Sequence, residues 1–250
     1  MDSSHATGQP AARILSAAFI IIGDEILSGK FADENGPYLI KKLREIGVSL
    51  RRVSIISDGL DEIAEEVGRA AARYDLVFTS GGVGPTHDDL TLPGVAQAFG
   101  VALEERAELV EAITAHMGGA TTEAALRMAR LPVGTRLVWG EGLRYPLVIV
   151  QNVHVLPGVP SIFRRKLDAA LAALPRCPVS CARVTTDEAE VHIAARLEEA
   201  VAAWPEVTIG SYPRYDEGPH FVIITMEGQD AEAVEACRAF LAARLQPRGG

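Results

Sequence analysis

The chain has 250 residues, with 24 Lys plus Arg against 33 Asp plus Glu and a formal net charge of −9, so it lacks the basic excess that neutralises nucleic-acid phosphates. At 48% hydrophobic and 23% charged residues it has the composition of a folded globular protein, long enough for one large domain and a small one, and not that of a disordered chain. Cys177, Cys181 and Cys237 are too few for a disulfide framework and have no His neighbours at zinc spacing, which fits a reducing, cytoplasmic setting.

The first ten residues are polar, and Ile14 to Ile22 is too short an apolar run to span a bilayer. Neither a signal peptide nor a membrane helix is expected, and residues 1–15 read as an N-terminal tail. Ala17 to Ile22 is continuously apolar and stops at Gly23, the pattern of a strand buried on both faces. Asn35 to Gly47 carries Leu39, Leu43 and Ile46 at helical spacing and ends at a glycine. Val48 to Ser57 reads as a second strand. A second helix places Leu60, Ile63, Ala64, Val67, Ala70 and Ala71 on one stripe, and Asp75 to Thr79 is a third strand.

Helices are predicted over Glu104 to Met117 and Thr122 to Ala129, and short strands over Arg136 to Val138, Leu147 to Val150 and Val153 to Leu156. Pro157 to Pro160 opens a helix that runs to about Leu174. This rhythm predicts an α/β domain over residues 16–174, a three-layer, mostly parallel sheet with helices on both faces. After a break at Pro175 to Pro178, a strand (Val179 to Thr185), a helix (Asp187 to Trp204, with Val191, Ala194, Leu197 and Val201 inward), two strands (Val207 to Tyr212, His220 to Met226) and a helix (Asp230 to Leu245) predict a small α+β sandwich over 178–250.

In an open parallel sheet, ligands bind beyond the carboxyl ends of the strands. Four such loops are polar or glycine-rich: Gly23-Asp24-Glu25, Ser57-Asp58-Gly59, Ser80 to Asp89, and Leu156-Pro157-Gly158. In the third, Gly81, Gly82 and Gly84 let a ligand approach the backbone, and a helix beginning near Asp89 would aim its free N–H groups at an anion. The loop is neither a G-x-G-x-x-G nor a Walker A sequence. Asp88 and Asp89 also suit the first turn of a helix on dipole grounds alone. A phosphate surrounded by Asp24, Glu25, Asp58, Asp88 and Asp89 would be repelled unless a hard cation intervened, so a divalent metal is expected. His87 is a second-rank candidate for proton donation. Arg164, Arg165 and Lys166 read as a solvated basic face rather than as phosphate ligands, and Trp139, Trp204, Phe99 and Phe163 as packing residues.

From Ser80 to Thr91 the sequence S-G-G-V-G-P-T-H-D-D-L-T resembles the signature of the molybdenum-cofactor biosynthesis fold, the MoaB/Mog-like molybdopterin-binding domain. The resemblance extends to Gly23-Asp24-Glu25-Ile26-Leu27-Ser28-Gly29, to Asn35 and to Leu156-Pro157-Gly158-Val159-Pro160, in order across about residues 16 to 170. Within that fold the chain is similar to the competence-damage-inducible protein A group and to the corresponding domain of eukaryotic FAD synthase; the stretch Tyr145 to Pro160 resembles the FAD-synthase-associated form in particular, and the C-terminal α/β piece also fits that group. Neither an amidohydrolase domain nor an FAD-synthesising domain is expected in this length. One departure is Trp139 to Pro146, which stands where the family often has an Asn-rich segment followed by Ala-Pro-Gly, and which leaves pterin recognition open.

The resemblance implies two chemistries. In the adenylyltransferases of the family, an acid after the glycine loop and an acid after strand two act with Mg²⁺, and these positions fall on Asp89 and Asp58. The other two groups are associated with metal-dependent hydrolysis of a nucleotide pyrophosphate such as ADP-ribose or FAD, with Mg²⁺, Mn²⁺ or Co²⁺. The expected ligand is a small nucleotide or pterin, molybdopterin included, and the expected assembly is a homo-oligomer, dimer or trimer, without nucleic acid or membrane. The preferred reading is a pyrophosphatase: Gly23, Asn35, Ser80 and the glycines of the loop hold the ligand with Pro85, Thr86, Pro157 and Gly158. Asp88 and Asp89 anchor the metal, and Asp24, Glu25 or Asp58 orients water. The rivals are a binding module without hydrolysis, an adenylyltransferase, and a scaffold with a vestigial motif.

Overall fold

A computed structural model of the chain describes residues 14–117, 121–140, 142–215 and 221–248. Most of the tail read from sequence, together with Glu141 and His220, therefore lies outside the described residues. The chain divides into two compact units, one ending at Arg176 and the other beginning at Cys177.

In chain order the first unit contains β1 (Ser16–Ile22), α1 (Asp24–Leu27), α2 (Asn35–Ile46), β2 (Ser49–Ile56), α3 (Leu60–Arg73), β3 (Leu76–Ser80) and α4 (Thr91–Ala98). There follow β4 (Leu103–Glu105), α5 (Ala107–His116), α6 (Glu123–Arg127), β5 (Arg130–Pro132), β6 (Arg136–Val138), β7 (Leu147–Val150), β8 (Val153–Leu156) and α7 (Pro160–Ala172). Six strands form one sheet in the order β2-β1-β3-β8-β7-β6. The first four are parallel, and β7 runs antiparallel to both β8 and β6. The fold is the three-layer α/β class.

Two apolar cores explain why β1 is apolar without interruption from Ala17 to Ile22. Ala17, Phe19 and Ile21 point to one face, against Leu39, Leu43, Phe163 and Leu167 of α2 and α7. Ala18, Ile20 and Ile22 point to the other, against Ile63 and Val67 of α3 and Val95 of α4. Full burial of a side chain such as Phe19 stabilises by about 1.5–3 kcal/mol. Gly47 ends α2 in the left-handed conformation at φ 75, as its position after the last apolar residue predicts. At the β7–β8 turn, Asn152 Nδ2 donates to the carbonyls of Ala71 and Tyr74 at 3.0 and 2.8 Å, fixing the hairpin to the end of α3.

Two expectations are corrected here. Glu104 and Glu105 are not helical: they pair, in β4, with Leu131 and Arg130 of β5, and α5 starts only at Ala107. The helix after the glycine loop starts at Thr91, not near Asp89.

The second unit contains β9 (Ser180–Thr186), α8 (Glu190–Ala203), β10 (Thr208–Arg214), β11 (Phe221–Gly228) and α9 (Ala231–Ala242), with an antiparallel sheet in the order β10-β11-β9. Asp230 caps α9, its side chain accepting from the amides of Glu232 and Ala233 at 2.9 and 3.2 Å. The buried stripe of α8 is Ile193 and Ala200 with Leu197 packed beside them, whereas Val191, Ala194 and Val201 are exposed. The predicted phase of this helix was off by one to two positions. Among the described residues no helix is long and apolar enough to cross a membrane.

Candidate functional site

The carboxyl ends of β2, β1, β3 and β8 lie side by side in the sheet, so the four loops picked from sequence share one rim. The loop after β1 is pinned to its neighbour twice. The amide of Gly23 donates to the carbonyl of Ile56 at 3.1 Å, and the amide of Asp24 donates to Oδ2 of Asp58 at 2.9 Å. Glu25 folds its carboxylate back over Gly23, occupying the space a Cβ there would need.

The glycine loop is closed by Thr91, which is fully buried. Its hydroxyl donates to the carbonyl of Gly81 at 2.8 Å and its amide to the carbonyl of Gly82 at 3.0 Å. Gly81 has φ +108, and a Cβ there would collide with the carbonyl oxygen of Ile22. Gly158 comes close from the β8 loop, where a Cβ would stand 3.5 Å from the Cα of Gly81. The amide of Gly81 is taken by the carbonyl of Leu156 at 3.2 Å, and that of Thr86 by Oδ2 of Asp89 at 2.7 Å. Among the described residues the amides of Gly82, Val83 and Gly84 have no hydrogen-bond partner, so they are the free donors of the loop.

The start of α4 offers fewer free donors than the loop. The amide of Thr91 is already occupied, Pro93 has none, and that of Gly94 is bonded to Leu90, so among the described residues Leu92 alone keeps a free amide in the first turn. Asp88 and Asp89 precede the helix and are not first-turn acids. Asp89 turns inward through the space left open by Gly84 and accepts from both the amide and the hydroxyl of Thr86. This turn consumes the chain up to Leu90 and delays the helix. Arg127 of α6 supports the loop from outside, donating to the carbonyl of Pro85 at 2.8 Å.

Four of the five acids face one recess of about 350 Å³: Glu25, Asp58, Asp88 and Asp89 line it with Gly82. Asp24 lines neither this recess nor the larger one and contributes its amide instead. Removal from water pushes the Asp58 carboxyl above its usual range. The charges of Asp24, Glu25 and Asp88 add to this, against the Asp24 amide bond. Asp88 is held below its usual range by the Thr86 hydroxyl, helped by its own amide and by His87. His87 is almost fully exposed, with Nδ1 3.8 Å from Asp88. Among the described residues no three His, Cys, Asp or Glu side chains gather closely enough to hold a metal unaided.

A larger recess of about 1370 Å³ continues from the same loop. Ser80, Gly81, Gly82, Gly84, Pro157 and Gly158 line its near end, with Asn35. Asn35 is buried, and its Nδ2 donates to Ser80 Oγ and to the carbonyl of Gly158 at 2.9 and 2.8 Å. Only nitrogen can donate to that carbonyl, which fixes the amide's orientation and leaves Oδ1 without a partner among the described residues. Ile113, Met128, Leu143, Val148 and Ile162 add apolar lining to the recess, and Arg144, Arg165 and Lys166 line it as well.

Sequence reasoning missed two residues. Thr91 ends the stretch that resembles the family signature, and nothing in its local sequence marks it as the residue that closes the loop. Lys166 was read as part of a solvated basic face and is buried. Of its neighbours, Arg164 is exposed and pairs with Glu34 at 3.4 Å, and Arg165 is exposed.

The fold and rim are those of a molybdopterin-binding-type α/β domain. Residues 18–177 match the family described as "Probable molybdopterin binding domain", and the chain belongs to that family. Residues 178–249 match "FAD synthase, middle domain". A protein of Archaeoglobus fulgidus is 35% identical over 219 residues, covering 87% of this chain and 93% of its own length. A "Probable FAD synthase" of Caenorhabditis elegans is 34% identical over 249 residues, covering 88% of this chain and 48% of its own length; the chain thus spans about half of that relative. The crystal structure of the protein CinA from Thermoplasma acidophilum matches with a TM-score of 0.59 at 32% identity, over 64% of this chain and 97% of that one.

Proposed function

We propose that the first unit binds a nucleotide or pterin diphosphate and hydrolyses its pyrophosphate bond, with ADP-ribose or FAD as the substrate type. The observation that carries this reading is the juxtaposition of three unpartnered loop amides with a recess walled by four carboxylates, beside a large apolar cavity. The amides of Gly82, Val83 and Gly84 receive phosphate oxygens, and the cavity receives the ring attached to them. Asp58, the carboxylate whose proton affinity is raised, takes a proton from the attacking water through the oxygen not bonded to the Asp24 amide. Asp88, whose proton affinity is lowered, stays charged.

The donor set fits a divalent metal. It consists of oxygen atoms only, and too few of them to hold a hard cation without the ligand's phosphates, as is usual for Mg²⁺. Asp88 and Asp89 would hold such an ion, Mg²⁺, Mn²⁺ or Co²⁺, and its chemistry there is neutralisation of phosphate charge beside the acids.

The test is incubation of the purified chain with each metal and with ADP-ribose or FAD, followed by mass spectrometry. AMP with ribose 5-phosphate, or AMP with FMN, is the expected result, and no turnover of any nucleotide diphosphate rejects hydrolysis. One observation favours the alternative of a binding module, for molybdopterin or a nucleotide: Asp89 already serves the loop through Thr86. Saturable binding without product selects it.

A further inference from the structure

Lys166, on α7, is 5% exposed and lines the large recess. Its Nζ donates to the carbonyl of Pro146 at 2.8 Å and lies 4.5 Å from the centre of the Tyr145 ring. Among the described residues no carboxylate is within ion-pair distance of it. The contrast is Glu66, also buried, which is matched by Arg52 and Arg69 at 2.9 Å each. A buried ammonium with one hydrogen bond out of three is a burden that the fold does not require, because a methionine would fill the same space between apolar walls. The Tyr145 hydroxyl offers no relief, since it already donates to the carbonyl of Met128 at 2.6 Å. What remains, among the described residues, is a donor-only group with two protons free, in the lining of a recess that also includes the glycine loop.

We propose that Lys166 is the specificity-determining residue of the large recess, selecting a planar ring that presents a carbonyl or enolate oxygen at its edge over an adenine. This rests on the reading of the recess as a nucleotide or pterin site. A lysine has no acceptor for the exocyclic N–H₂ of adenine, and on that ring it can donate only to neutral ring nitrogens, since the edge carries no oxygen. A carbonyl that takes on negative charge, as in a flavin or pterin ring, accepts from an ammonium with a charge-assisted bond. Arg144 and Arg165 line the same recess but are exposed, so their charge is screened by water and discriminates less.

The experiment uses FMN and AMP, which carry the same phosphate and differ in the ring. Affinities of the full chain are measured by calorimetry for the native protein and for Lys166→Met. The native protein is expected to bind FMN at least about ten-fold tighter than AMP, and Lys166→Met to lose about ten-fold for FMN and less than about three-fold for AMP. Melting temperature reports folding, and the variant is expected to melt no lower than the native protein, because it removes an unpaired buried charge. Equal affinity of the native protein for the two ligands overturns the proposal without any variant. So does equal weakening of both ligands by Lys166→Met, the signature of a lysine that merely anchors Pro146. Binding of neither ligand overturns both this proposal and the site reading, whereas selective FMN binding without pyrophosphate hydrolysis removes only the hydrolytic reading.

Discussion

The amide of Asp24 donates to Oδ2 of Asp58 at 2.9 Å, joining residues 34 positions apart and tying the loop after β1 to the loop after β2. The bond separates two roles of one carboxylate. Asp58→Asn keeps an acceptor for the amide and loses the base, so pyrophosphate hydrolysis is expected to fall by about 10²–10⁴-fold with the melting temperature nearly unchanged. Asp58→Leu loses both and is expected to destabilise by about 0.5–1.5 kcal/mol as well. Steady-state kinetics and thermal denaturation of the two variants check this; an Asn variant as active as the native chain excludes Asp58 as the base.

Asp89 holds Thr86 and faces the acidic recess, and these roles also come apart. Asp89→Asn retains a side-chain oxygen for the Thr86 amide and surrenders the charge. It is expected to bind AMP within about three-fold of the native chain while losing turnover with any divalent metal, whereas Asp89→Ala releases the loop and weakens AMP about ten-fold or more. Calorimetry with AMP, set beside the activity assay, distinguishes them. Unchanged AMP affinity in the Ala variant means that the loop does not need this brace.

Gly81 supplies a prediction about stability alone. Its φ of +108 and the carbonyl of Ile22 leave no room for a side chain, so Gly81→Ala is expected to cost about 3 kcal/mol or more by urea denaturation. Gly29 is the control: its φ is +71 but a Cβ there meets nothing within 4 Å, and Gly29→Ala is expected to cost about 1 kcal/mol. Similar losses at both sites contradict a steric origin at Gly81.

The sheet strands and the shared rim were legible because their signals are local. β1 is apolar from Ala17 to Ile22 since both its faces are covered, and Gly23, Gly47 and the Gly81 loop punctuate the chain where the backbone turns. The failures have tertiary causes. Leu103-Glu104-Glu105 has helix-forming acids and no strand signature; it is extended only because β5 arrives beside it. In the alanine-rich α8, two stripes at helical spacing interleave and share Leu197, Val191-Ala194-Leu197-Val201 and Ile193-Leu197-Ala200, and periodicity alone cannot choose between them. Two acids before an apolar run look like a first helical turn, and nothing in Asp88-Asp89 announces that the Thr86 amide claims one of them. Burial of Lys166 depends on a loop 20 residues away bringing the Pro146 carbonyl to Nζ, a contact without a trace in the local sequence.

His154 makes the stability of the first unit depend on pH. It sits on β8, 6% exposed, stacked on Phe78 at 4.9 Å between ring centres, with Nδ1 unpartnered among the described residues. Burial holds its pKa below the ordinary 6.5, and the charge of Arg136 works the same way; backbone contacts at Val77 and Asn152 oppose them. Arg136 reaches it through the sheet register, since Arg136 and His154 both pair with Ile149 of the strand between them. A group whose folded pKa is depressed binds more protons in the unfolded chain, so its contribution is intact above the unfolded value near 6.5 and is lost as pH falls toward the folded one. His154→Phe removes the titration and keeps an aromatic ring against Phe78. Urea denaturation of the native chain and of this variant at about pH 7.5, 6.5 and 5.5 is expected to show the native protein losing more stability on acidification, most of the excess appearing below about pH 6.5. Parallel pH profiles for the two proteins reject a buried neutral imidazole at this position, whatever the surface carboxylates do, because those are common to both.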